Sequence, residues 1–348
     1  MIKTYGYAAR SATSGLAPFD YEHRDPGPKD VRVTIDFCGI CHSDIHQARN
    51  EWGNSIYPMV PGHEIIGHVS AVGAEVTKFE VGDLAGVGVA VQTCMRCENC
   101  LAGEEPYCER GMVATYNSKD YDGNVTFGGY GDNIVANEHY VYSISPKLDP
   151  AATAPLLCAG ITTYSPLRHW KVDALKKVGV IGLGGLGHMA LKFAHSFGAH
   201  VVQFTTSESK IADAKRLGAD EAVISKDADA MQEHVNSFNF ILDCVSAQHD
   251  INAYLKLLRR DATICMVGLP DKPICVEPFD IGTNRRSFAG SFIGGMAQTQ
   301  EMLDYCAEKN IVADIEMTSF DNLNEVYERV IKGDVKYRFV LDHKTLKS

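Results

Sequence analysis

One stretch restricts the possible folds of this chain more than any other. Lys177-Val-Gly-Val-Ile181 is a short apolar run without alternation, as expected of a strand buried on both faces. It leads directly into Gly182-Leu-Gly184-Gly185-Leu186-Gly187 and then a helical segment, about Leu186 to Phe197. Glycine-rich turns are common, but one that follows a buried strand and opens a helix matches the dinucleotide fingerprint in context. The first glycine permits a tight turn, the second lets backbone approach a pyrophosphate, and the third lets helix and strand pack closely. The helix N-terminus then offers N–H groups and a positive dipole end to phosphate.

The segments that follow repeat the pattern. Strand-like runs at Val201 to Phe204, Glu221 to Ile224, Phe238 to Leu242 and Thr263 to Val267 are separated by helical stretches such as Lys210 to Leu217. Strand alternating with helix is the signature of a doubly wound parallel sheet. Before residue 150 the style differs. Val31 to Phe37 alternates apolar and polar residues, Ile65 to Val72 and Asn133 to Ala136 are further short strands, and Pro26-Gly27, Pro61-Gly62 and Gly82-Asp83 punctuate them. This reads as an irregular antiparallel barrel. At 348 residues the chain suits two domains. We place the nucleotide-binding one at 151–285, with 1–150 and 286–348 forming the other.

The end of the second strand selects the cofactor. An acidic residue there, roughly 20 residues past the fingerprint, holds the ribose 2′-OH of NAD. In this chain the position is Thr205, and Thr206, Ser207 and Lys210 follow. Hydroxyls and a cation fit a 2′-phosphate, which indicates NADP(H). Glu208 could serve an NAD ribose only if the turn is displaced.

Eleven cysteines, an odd number with no secretory h-region, argue against a disulfide framework. Cys94-x2-Cys97-x2-Cys100-x7-Cys108 can close a tetrahedron on one structural Zn²⁺ with no open position. The bacterial ferredoxin run ends C-x3-C-P, unlike the seven-residue gap here, so an iron–sulfur cluster is disfavoured. Cys41, His63 and Cys158 are each ambiguous alone, and spacing does not join them. The net charge of −11, and acids outnumbering bases around the four cysteines, exclude nucleic acid as a partner. No apolar run reaches the roughly 20 residues of a membrane span. A cytoplasmic protein is expected.

In combination and order, Cys41-His-Ser-Asp44, Pro61-Gly-His-Glu64, the four-cysteine cluster, Pro155-Leu-Leu-Cys-Ala-Gly-Ile-Thr-Thr-Tyr164 and the glycine fingerprint resemble the zinc-containing medium-chain alcohol dehydrogenases, along essentially the whole chain. Within them the chain looks like the cinnamyl alcohol dehydrogenase/bacterial aldehyde reductase branch. The resemblance implies a GroES-like catalytic domain with an inserted Rossmann domain, and two Zn²⁺ per chain. Cys41, His63 and Cys158 would hold the catalytic zinc, the Cys₂His set of alcohol dehydrogenases. Glu64 would be an occasional ligand, and Asp44 would fix the tautomer of His63. Ser43 and His46 would relay the proton. Thr162 would meet the nicotinamide, and Arg338 the pyrophosphate. His42 stands where other members carry Arg, a weaker phosphate partner. Trp52, Ala90 and Ile293 would line the substrate pocket, suiting medium-chain or aromatic aldehydes. A homodimer is the expected assembly, and a small alcohol or aldehyde the expected partner.

Overall fold

The computed structural model describes residues 1–270 and 272–347. It separates into two compact units, residues 1–161 with 294–348, and residues 162–293.

In the second unit six parallel strands are ordered Glu221–Ile224, His200–Thr205, Lys177–Ile181, Phe238–Asp243, Leu258–Met266 and Ser287–Gly290 among the described residues. Counted along this unit the order is 3-2-1-4-5-6, that of doubly wound dinucleotide-binding folds. The central strands read as continuous apolar runs because helices cover both faces. Phe204, Phe238, Ile241, Leu255 and Ile264 are among the residues of its core. The helix Gly187–Ser196 begins at the last fingerprint glycine.

The unit ends later than expected. Ser287–Gly290 does not rejoin the first domain. It pairs in parallel with Thr263–Met266 as the sixth strand. At the other boundary, Pro150–Thr153 and the residues up to Ile161 stay with the first unit.

The first unit is built on the long strand Asp30–Ile40. Ile65–Val72 pairs antiparallel along one side of it. Asn133–Asn137 and Arg338–Asp342 share the other side. Leu84–Val87, Val141–Ser143 and Ile315–Thr318 complete a seven-stranded sheet among the described residues. The alternating residues Val31, Val33 and Ile35 point into a core with Ile65, Val69, Ala85, Val87 and Leu341. A hairpin of Ile2–Ala9 with Leu16–His23 packs on the same core. No described helix is long and apolar enough to cross a membrane.

Candidate active site

The long strand runs out at Ile40, and Cys41 caps the short helix His42–Ala48. Asp44 closes a capping box, its Oδ2 accepting the Cys41 N–H at 2.8 Å. The same carboxylate accepts the Gly62 N–H at 3.1 Å and lies 3.2 Å from Nδ1 of His63. One side chain thus fixes the helix start, the turn at Gly62 and the imidazole. Nδ1 being engaged, Nε2 is the nitrogen left to His63 for a ligand. The carboxylate and the Cys41 sulfur outweigh burial and push the His63 pKa up to about 10.

Cys41, His63, Glu64 and Cys158 are all buried, with ligand atoms within 4.8 Å of one another. The Cys41 and Cys158 sulfurs are 3.8 Å apart. Tetrahedral bonds of about 2.3 Å place two thiolates about 3.8 Å apart, so the pair fits one zinc. The neighbouring Cys158 thiol holds the Cys41 thiol well below its usual range, which suits a ligand that must be deprotonated. Glu64 Oε2 is buried and has no hydrogen-bond partner, a carboxylate oxygen left for a metal-side role. Gly39 is required here, because any Cβ would collide with that carboxylate.

Glu64 also answers where Arg338 goes. The guanidinium, only 5% exposed, forms a buried ion pair with Glu64 through one nitrogen, while its Nε keeps a donor without a partner. The antiparallel register that sets Phe339 opposite Ile40 places Arg338 here, and a buried carboxylate needs such a partner. His42 is exposed. The imidazole of His46 contacts Glu51 and packs tilted against Trp52, with ring centroids 5.1 Å apart. Ser43 is half-buried one helical turn before His46. Ala90 and Ile293 are both buried, each in a different unit.

The second cluster holds Cys94, Cys97, Cys100 and Cys108, again with sulfurs within 4.8 Å. Separations of 3.4 Å for Cys97–Cys100 and 3.9 Å for Cys94–Cys100 suit the same tetrahedron. Backbone N–H groups of Cys94 and Cys97 point at the sulfurs of Cys108 and Cys94, at 3.4 and 3.3 Å. Against the effect of burial, such donors bring the Cys108 thiol down to about 6. All four ligand positions are thiolates, so this site is closed and structural.

In the other unit, the fingerprint glycines occupy the expected places. Gly182 has φ +85°, and a Cβ there would lie 2.6 Å from Val245. A Cβ on Gly187 would collide with the Gly182 carbonyl. A Cβ on Gly184 would meet nothing within 4 Å, the open cradle a phosphate requires. Gly185 and Leu186 complete the turn. Thr205 ends its strand buried and accepts the Ser207 N–H at 3.2 Å. Thr206 is exposed beside it. Ser207 and Ser209 hydroxyls are 2.7 Å apart, and Lys210 Nζ donates to the Leu183 carbonyl at 2.9 Å. A cation and hydroxyls therefore gather between the fingerprint and the strand end. Ser209 joins this set through its hydroxyl contact to Ser207, two residues earlier, a spacing that is the signal available in the sequence. Thr162 is buried in the helix Ala159–His169.

Residues 27–146 match the family model of the alcohol dehydrogenase GroES-like domain, and residues 185–308 that of the zinc-binding dehydrogenase. Aldehyde reductase YahK of Escherichia coli is 55% identical over 99% of both chains. Among solved structures, a cinnamyl alcohol dehydrogenase of Sorghum bicolor superposes with a TM-score of 0.96 at 42% identity over 99% of both chains. The corresponding enzyme of Helicobacter pylori, complexed with NADP(H), gives 0.94 at 39% over 99% of both. The chain therefore belongs to the zinc-containing medium-chain alcohol dehydrogenases, on their cinnamyl alcohol dehydrogenase/aldehyde reductase branch, and is an oxidoreductase of that family.

Proposed function

We propose that this enzyme reduces medium-chain or aromatic aldehydes to primary alcohols with NADPH. The observation that carries the cofactor choice is the end of the strand His200–Thr205. A threonine stands where an NAD site places its acid, and Lys210 is held over the fingerprint. The H. pylori relative was solved with NADP(H). NADP(H) as the dinucleotide makes aldehyde reduction the working direction.

When bound, zinc supplies a Lewis acid toward the carbonyl oxygen and NADPH supplies the hydride. The chain's own residues do the rest. Cys41, His63 and Cys158 would hold the metal, with the Glu64 carboxylate beside them. Ser43 gives a proton to the product oxygen, and His46, steadied by Glu51 and Trp52, restores it from solvent. The amides at Gly184 to Gly187 take the pyrophosphate, with His42, a neutral imidazole, as a weaker partner than a fixed cation. Thr206, Ser207, Ser209 and Lys210 take the 2′-phosphate, and Thr162 the nicotinamide side. Trp52, Ala90 and Ile293 are assigned to substrate, and a homodimer in the cytoplasm completes the reading.

The test is kcat/KM for NADPH and NADH over a panel from butanal to cinnamaldehyde, in wild type and Lys210→Ala. Hydrogen bonds to a charged group are worth about 1.5–3 kcal/mol. NADPH should therefore lead by on the order of tenfold or more, and Lys210→Ala should remove most of that lead while leaving NADH rates nearly unchanged. Equal use of both cofactors by wild type would overturn the assignment.

A further inference from the structure

Asp44 is fully buried, and it takes donors from more places than its role beside His63 needs. The Cys41 and Gly62 N–H groups and the His63 ring occupy three of its roughly four acceptor positions. Beyond these, the buried Tyr116, stacked on the His63 ring, reaches the carboxylate from one side, and a residue far away in sequence reaches it from another. The phenol of Tyr130, itself fully buried, donates to Asp44 Oδ2 at 3.2 Å. Behind it the Tyr327 hydroxyl donates to Tyr130 at 3.4 Å.

The backbone is shaped to bring this phenol in. Gly128, Gly129 and Tyr130 donate in turn to the carbonyls of Val60, Gly62 and Pro61, at 2.8, 2.9 and 2.9 Å. That zips the tyrosine to the segment leading into His63. The approach is closer than side chains allow. Gly62 has φ +104°, and a Cβ there would sit 2.8 Å from the Tyr130 ring and 2.9 Å from the Gly129 nitrogen. A Cβ on Gly128 would collide with the Gly62 carbonyl.

A buried carboxylate is held in one orientation by the donors that satisfy its oxygens. Held so, it fixes the tautomer of His63 and orients the imidazole as a ligand. We infer that Tyr130 is a positioning residue for the catalytic metal: its phenol, backed by Tyr327, completes the donor set of Asp44 and through it fixes His63. This rests on the reading of Cys41, His63 and Cys158 as a zinc site.

The experiment follows zinc released from the full-length holoenzyme to a colorimetric chelator. Cys41→Ser identifies which of two zinc phases is the catalytic one. Outer partners of metal ligands change affinity by about 10–100-fold. Tyr130→Phe, which keeps the ring and removes one hydroxyl, should release the catalytic zinc about tenfold faster and leave the four-cysteine zinc at its wild-type rate. Tyr327→Phe should give a smaller acceleration of the same phase, and it serves as the probe if Tyr130→Phe does not fold. Catalytic zinc leaving both variants at the wild-type rate overturns the inference. So does equal acceleration of both phases, which would mean general loosening. If wild type carries only the four-cysteine zinc, the zinc reading itself has failed, a result distinct from either.

Discussion

His46 stands three residues after Ser43 on the helix His42–Ala48, so the two side chains share a face. An imidazole can accept and donate a proton in turn, and this one is held by Glu51 and by packing against Trp52. It is half-buried, so water can partly take over its task. His46→Gln should therefore lower kcat by on the order of tenfold, less than the 10²–10⁴ typical of a group that itself contacts the reacting atoms. Small amine buffers should restore part of the loss. The informative measurement is kcat against pH at several buffer concentrations. A variant whose pH profile superposes on that of wild type would remove His46 from the proton path.

At the scale of elements, the four-cysteine lobe depends on one acid. Glu105, only 3% exposed, accepts the Met296 N–H at 3.0 Å with one oxygen and meets His139 Nε2 at 3.0 Å with the other. It ties the lobe to the start of the helix Met296–Lys309. Burial opposes its charge, but His139 and the backbone donors prevail and hold its pKa below the usual value. A depressed carboxylate contributes stability above its unfolded pKa and loses it as pH falls through the folded one. Glu105→Gln should cost about 1–3 kcal/mol at neutral pH. The melting temperatures of variant and wild type should converge in acid, where Glu105 is protonated. A gap that persists below the carboxylate range would mean that charge is not the tie.

The same scale shows what the sequence could convey. Buried parallel strands declared themselves as runs without alternation, and the structural cysteines by spacing, because both signals are local. Ser287–Gly290 carried no such signal. Its residues, Ser-Phe-Ala-Gly, have little apolar pattern, and only pairing with Leu258–Met266 makes them a strand. Arg338 and Glu64 each sit in a motif of their own, but their ion pair spans 274 residues, and no motif relates them. The Tyr130 contact to Asp44 spans 86 residues and hid for the same reason.

For the molecule as a whole, the division of labour between units has a measurable consequence. Residues 162–293 form an uninterrupted stretch with their own sheet and core. Within it, the buried Arg286 bonds the Leu258 and Asp280 carbonyls and Asn236, drawing the last two strands and the helix Pro278–Gly282 together. The fingerprint and every candidate 2′-phosphate ligand, from Thr206 to Lys210, also lie inside it. The zinc ligands all lie outside. A polypeptide of residues 162–293 should therefore melt cooperatively, hold no zinc, and still bind NADP(H) more tightly than NAD(H), as measured by calorimetry. The readout is the ratio and not the absolute affinity, and it should stay within a few-fold of that of the whole enzyme. The ratio isolates the 2′-phosphate, because the two dinucleotides differ nowhere else. If the isolated unit folds yet binds both equally, discrimination comes from the catalytic unit, and the hydroxyls and Lys210 at the end of His200–Thr205 are only a polar turn.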